Sequence, residues 1–122
     1  MDSERPIGFQ SWTIREDLTK DFPGTLKMMA GLGYSDIEMC SPFGYVSIGF
    51  EPLNKMKGSE MKKIIEDSGP GCVSSHFVMS ELHDHLEDRI EWAQEMGLTQ
   101  MILSTECRII LLLTSKEYYQ HT

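Results

Sequence analysis

Positive charge is scarce in this chain, with 11 Lys and Arg against 19 Asp and Glu, a formal net charge of -8 and a pI near 4.9. A surface that holds a phosphate backbone concentrates cations, so nucleic acid is excluded as a partner. Cysteine is scarce too: Cys40, Cys72 and Cys107 form no C-x-x-C pair and leave one thiol over in any disulfide scheme. That usage fits a reduced, cytoplasmic protein in which the thiols act as small apolar side chains. Long hydrophobic runs are missing. The longest, Ile109-Ile110-Leu111-Leu112-Leu113, falls far short of the roughly 20 residues that span a bilayer, so no membrane partner is expected. Met1 to Pro6 has neither the basic stretch nor the apolar run of a secretory signal. No G-x-x-x-x-G-K phosphate cradle occurs, and Gly31-Leu32-Gly33 leads into a strand pattern, which makes it a helix stop.

What is present is an ordinary globular composition: 122 residues, 40% hydrophobic and 25% charged, enough for one domain with a core. A short grammar recurs along it. Gly33-Tyr34-Ser35-Asp36-Ile37-Glu38-Met39-Cys40 reads as helix stop, connection and strand, and the pattern returns at Gly69 to His76 and at Gly97 to Ser104. The interval is close to the roughly 30 residues of a βαβ unit, so the chain reads as a series of strand-helix modules with parallel strands. Function is then sought where the strands end, at Gln10 to Trp12, Glu38 to Cys40, His76 and Ser104.

Taken in order, Ile7 to Trp12 alternates as a first strand, and Arg15-Glu16-Asp17 reads as a polar loop. Asp21 stands as N-cap before Phe22-Pro23, and Phe22, Leu26, Met29 and Ala30 recur at helical spacing. Ser35 to Cys40 is the second strand. Ser41 to Lys57 comes next as a long connection of the kind that forms lids or binding segments, and its rings Phe43, Tyr45 and Phe50 either cover a small ligand or pack on neighbouring elements. Ser59 is expected to cap a helix that turns Met61, Ile64 and Ile65 inward. Cys72 to Val78 is the third strand. The strongest helix carries Leu82, Leu86, Ile90, Ala93 and Met96 on one stripe, Gly97 ends it, and Gln100 to Ser104 is the fourth strand. Beyond that point the pattern fails, with no amphipathic helix in the expected place.

These residues together carry a resemblance. Ile7 to Arg15, Asp21-Phe22-Pro23-Gly24-Thr25-Leu26, Gly31-Leu32-Gly33-Tyr34, Ile37-Glu38-Met39, Ser74-Ser75-His76 and Ala93-Gln94-Glu95-Met96-Gly97 occur in the order and spacing of a known group. Over residues 6–104 the chain resembles the amino-terminal half of the sugar phosphate isomerase/epimerase family, the xylose-isomerase-like TIM barrels. The resemblance implies an α/β fold, a partial (β/α)8 TIM barrel of about four βα units. It implies metal-dependent aldose-ketose isomerisation or epimerisation of a small polyhydroxylated, sugar-like substrate. The divalent metal of the full-length family, of Mn, Mg or Zn type, would sit on carboxylates and a histidine of later strands. No metal ligand or catalytic residue is therefore assigned here, no bound metal is expected, and this truncated chain is expected to be inactive alone. Gln10, Glu38 and His76 carry over as substrate-pocket residues. Residues 105–122 depart from the family, and the expectation is a truncated or frame-shifted reading of the gene. Four units would leave the first and fourth strands as open edges, so a homodimer of two half-barrels is expected.

Each candidate has a plainer alternative. Glu38 is either an acceptor for sugar hydroxyls or a rim carboxylate paired with a cation, and His76 either serves a hydroxyl or is a satisfied structural histidine. His83 and His85, beside Asp84, point to different helix faces and do not close on one ion. The nine methionines read as adaptable core filler. The competing functional readings are a non-catalytic, self-associating half-barrel and a small α/β binding domain with helices on both faces. One apolar stripe per helix favours a one-sided wrap.

Overall fold

The computed structural model describes residues 7–103, 108–114 and 117–120. Four parallel strands, β1 (Gly8–Gln10), β2 (Asp36–Cys40), β3 (Gly71–Phe77) and β4 (Gln100–Leu103), lie side by side in chain order. The crossovers between them carry α1 (Arg15–Lys20), α2 (Phe22–Gly31), α3 (Gly58–Ser68) and α4 (Met79–Met96). These are the parallel strand-helix units expected from the repeating modules, in the α/β half-barrel that the resemblance implied.

The sheet is apolar on one face and polar on the other. Ile37, Met39, Phe77, Met101 and Leu103 are buried in one cluster with Leu26, Ile65, Ala93 and Met96 from the helices. Gln10, Asp36, Glu38, Ser74, His76 and Gln100, which alternate with them along the strands, are only half-buried. A bulge between β2 and β3, where Asp36 pairs with Gly71 but Glu38 with Ser74, inserts one residue and leaves Val73 49% exposed. The helices therefore wrap one side, in line with their single stripes, and the doubly wound alternative does not hold among the described residues.

Several local expectations change. Arg15 to Asp17 open α1 instead of a loop: Glu16 and Asp17 suit the positive helix start, Lys20 its end, and Leu18 is completely buried as the anchor. One apolar residue gives no periodicity, so this helix was invisible to pattern. Asp21 does cap α2, accepting from the Gly24 amide at 3.1 Å. Ser59 does not cap α3; it lies within the first turn after the N-cap Lys57, and the Gly58 amide donates to Glu95 of α4 at 3.1 Å. A Cβ at Gly58 would come within 2.7 Å of Trp92 O and of Glu95 Cβ, so the close approach of the two helices requires glycine there. In α4 the stripe slips, because His85 leaves helical geometry (φ -137°, ψ 39°). Leu86, just past the break, is 42% exposed, while Trp92 takes a buried place. No helix among the described residues is long and apolar enough to cross a membrane.

The largest correction lies after β4. Ser104 and positions 105–107 are outside the described residues, but Arg108–Thr114 and Glu117–Gln120 form β5 and β6, antiparallel, extending the sheet from the β4 side. Positions 104–107 are far too few for the dozen-residue crossover that a parallel neighbour needs, so the next strand returns antiparallel. The outer edge of β4 is therefore taken within the chain. Among the described residues the open edges are β1 and β6, and the expected pairing of two copies through β4 is not available.

The long connection after β2 is held by a buried carboxylate. Glu81, 5% exposed, accepts from the Ser41 hydroxyl at 2.7 Å, from Arg89 Nε at 2.6 Å and from the Val78 amide at 3.0 Å. Ser41 Oγ in turn accepts from the Phe43 and Gly44 amides, and the Arg89 guanidinium lies 4.3 Å over the Phe43 ring. Removing one partner of such a pair strands a buried charge, whereas replacing both with apolar groups does not. Glu81→Ala is expected to lower stability by about 3–5 kcal/mol in urea unfolding, and Glu81→Met with Arg89→Leu to lose clearly less. Equal losses would mean that the carboxylate does not pin the segment.

Candidate functional site

Parallel register brings the carboxyl ends of β1, β2 and β3 together. Gln10 is level with Glu38, and His76 is level with Cys40, one side-chain step beyond Glu38 on the same face. The three residues singled out from the strand ends thus converge. Glu38 Oε2 lies 3.0 Å from His76 Nδ1, and Gln10 Nε2 lies 3.4 Å from that same nitrogen. His76 and Glu38 side chains are 19% and 33% exposed, so the group is sheltered but reachable.

Gln10 is fixed by the turn at the end of β1. The chain passes at once into a 3-10 helix, Ser11–Ile14, and Gln10 Oε1 accepts from the Trp12 amide (3.4 Å), the Ser11 hydroxyl (3.3 Å) and the Cys40 thiol (3.5 Å). With its oxygen engaged on the backbone side, the amide presents Nε2 to His76. Ser11 is fully buried, and its oxygen also accepts from the Cys40 amide at 3.0 Å, tying β2 to the turn after β1. Neither Ser11 nor Cys40 carries a periodic signal, so their part in aligning the site was not legible beforehand.

Beside this group opens a hollow of about 340 Å³ lined by Gln10, Trp12, Cys40, Tyr45 and His76. Trp12 is 42% exposed, with the Arg15 guanidinium 4.5 Å over its ring and Tyr45 meeting it edge-on at 6.4 Å. The rings of the long connection divide between the core and the hollow. Phe50 is buried in the core and Phe43 packs on Trp92, whereas Tyr45 stands at the hollow. A second hollow of about 370 Å³, on the polar face below, is lined by Gly8, Asp36, Val73 and Ser74 among others and shares Gln10 and Glu38. The chemistry gathers at the upper one.

The residues do not fit a divalent metal. Among the described residues no three His, Cys, Asp or Glu side chains gather as ligands, and Glu38 and His76 make only two of the donors a metal centre needs. His83 Nδ1 contacts Asp84 at 2.9 Å on the surface, with no third ligand. Both described thiols are held protonated. Burial is the main cause at each, raising Cys40 to about 11 and Cys72 to about 12.

No family model matches the chain, and no curated protein does. Among solved structures, a sugar phosphate isomerase/epimerase from Parabacteroides distasonis superposes with a TM-score of 0.60 at 20% identity, over 81% of this chain and 38% of that one. The chain is a half TIM barrel. It spans well under half the length of the structure it matches, and the shared feature is the fold. In a half-barrel of this kind the strand ends that hold Gln10, Glu38 and His76 form the face where complete TIM barrels place their active sites.

A thiol whose pKa is pushed up by burial holds far less thiolate near neutral pH, and the thiolate is the reactive form. In a Cys107→Ser variant, native Cys40 and Cys72 are therefore expected to resist a disulfide-exchange reagent at about pH 8 and to react fully only in denaturant. Rapid native labelling of either would contradict the burial described.

Proposed function

We propose that this half-barrel binds a small polyhydroxylated, sugar-like molecule in the hollow beside Gln10, His76 and Trp12, and that it does so in the cytoplasm. The observation that supports the reading is the convergence, from three consecutive strands, of an amide, a carboxylate and an imidazole next to an exposed indole. A ligand site of this type needs an apolar wall for the ring or chain carbons and a few fixed donors and acceptors for hydroxyls. Trp12 and Tyr45 supply the wall, Gln10 Nε2 a donor, and the Glu38-His76 pair the acceptor side. The likeness in fold to a sugar phosphate isomerase/epimerase agrees with this ligand class.

Metal-dependent isomerisation or epimerisation needs ligands that the described residues lack, so the reading for this chain is binding without turnover. A polar concave face and a net charge of -8 favour a binding domain over a self-associated pair, because like-charged polar faces gain little by meeting.

Titration with D-fructose or D-xylose, monitored by backbone and indole NMR signals, is expected to shift Gln10, His76 and the Trp12 indole with an affinity on the order of millimolar. His76→Ala should weaken it by about five- to tenfold. Shifts confined to other faces would overturn the site. Isomerisation of either sugar by the chain with Mn²⁺ or Mg²⁺ would overturn binding without turnover.

A further inference from the structure

Two groups compete for one nitrogen of His76, and the competition decides what the other nitrogen offers. Nδ1 lies 3.0 Å from Glu38 Oε2 and 3.4 Å from Gln10 Nε2. Gln10 Nε2 is a donor, since three donors already occupy Oε1, so it can pair only with an unprotonated Nδ1. A carboxylate accepts and pairs only with a protonated one. The contact to Glu38 is shorter and has a carboxylate as acceptor, and bonds to a charged acceptor are about twice as strong as neutral ones. Nδ1 therefore carries the proton, and in the neutral ring Nε2 carries the lone pair.

Nε2 has no hydrogen-bond partner among the described residues. It is not sealed in either, since Trp92 Nε1 is the buried side-chain nitrogen or oxygen left without a partner among them, and His76 lines the upper hollow. We infer that Glu38 is a positioning residue, which locks His76 in the Nδ1-H tautomer and so turns Nε2 into the hydrogen-bond acceptor for a ligand hydroxyl, while Gln10 Nε2 stands next to it as donor. The inference rests on the sugar-binding reading for its ligand and revises the role of Glu38 within it, from direct contact to orientation. The pair selects a ligand that offers a hydroxyl proton and a neighbouring oxygen lone pair, as an α-hydroxycarbonyl or a vicinal diol does. A ligand whose corresponding hydroxyl is methylated cannot donate to Nε2.

The test reads the tautomer directly. In ¹⁵N-labelled protein at about pH 8, where imidazole is mostly neutral, two-bond proton-nitrogen spectra assigned with His76→Gln are expected to show a protonated-type Nδ1 and a lone-pair-type Nε2. Glu38→Ala should convert the ring to the Nε2-H form, and Glu38→Gln should keep the native signature because its amide oxygen still accepts from Nδ1. In D-fructose titrations Glu38→Ala should weaken binding about five- to tenfold and Glu38→Gln by no more than about twofold. A native Nε2-H signature, or a Glu38→Ala loss of affinity with the tautomer unchanged, would overturn the inference. If the tautomer tracks Glu38 but neither sugar binds, the positioning role stands and the sugar reading alone falls.

Discussion

A single carboxylate in the wrong environment shapes the upper end of this molecule. Glu81 sits near the start of α4 at 5% exposure, where an unpaired charge would be intolerable. It is tolerated because three donors converge on it: the Ser41 hydroxyl, Arg89 and the Val78 amide. Two of these lie at strand exits, Ser41 just after β2 and Val78 just after β3, so the ion pair joins the ends of neighbouring strands through α4. Gly44 is part of the same fit, since a Cβ there would collide with Glu81 Oε2 and with Val78. The long connection therefore leaves β2 along one path, and that path carries Tyr45 to the hollow.

The second constraint is the division of the sheet into two chemistries. Complete TIM barrels fill their interior with branched apolar side chains, and a half cut from such a barrel would expose them. Here the corresponding face carries Gln10, Asp36, Glu38, Ser74, His76 and Gln100, with Val73 49% exposed at the bulge. A sheet with this pattern needs cover on one side only, and the helices provide it. The return of β5 against β4 removes one of the two edges that four parallel strands would leave, and at the other end β1 is three residues long, too short to template much pairing.

How far this was legible beforehand depends on whether a residue's role is periodic. The parallel modules were legible because alternation in Ile37-Glu38-Met39 and the glycines after each helix are local signals. Gln10, Glu38 and His76 could be singled out since strand ends are where this fold places ligands, and the register brings Glu38 to 3.0 Å and Gln10 to 3.4 Å from His76 Nδ1. The short helix α1 was missed because Leu18 is its only buried residue. The break at His85 was missed because its neighbours keep good helix composition. Glu81 was missed for a deeper reason: on a helical wheel it is one more acid on an acidic helix. Only contact with Ser41, 40 positions away, distinguishes it. Ser11 is of the same kind, its value lying in an amide 29 positions away.

The same reasoning separates what the sheet can hold from what it cannot. A metal centre requires several anionic or imidazole donors whose lone pairs are left unspent. At the mouth, among the described residues, one carboxylate and one imidazole face each other, fewer than the three donors that a metal centre gathers. What remains is asymmetric. Gln10 Nε2 can only donate, and with Nδ1 protonated the free nitrogen of His76 can only accept. A site with one fixed donor, one fixed acceptor and an indole beside them distinguishes ligands by the order of their hydroxyl and oxygen functions along a carbon chain. The Glu38 carboxylate contributes little to that choice directly, because it is already bound to the imidazole that it orients.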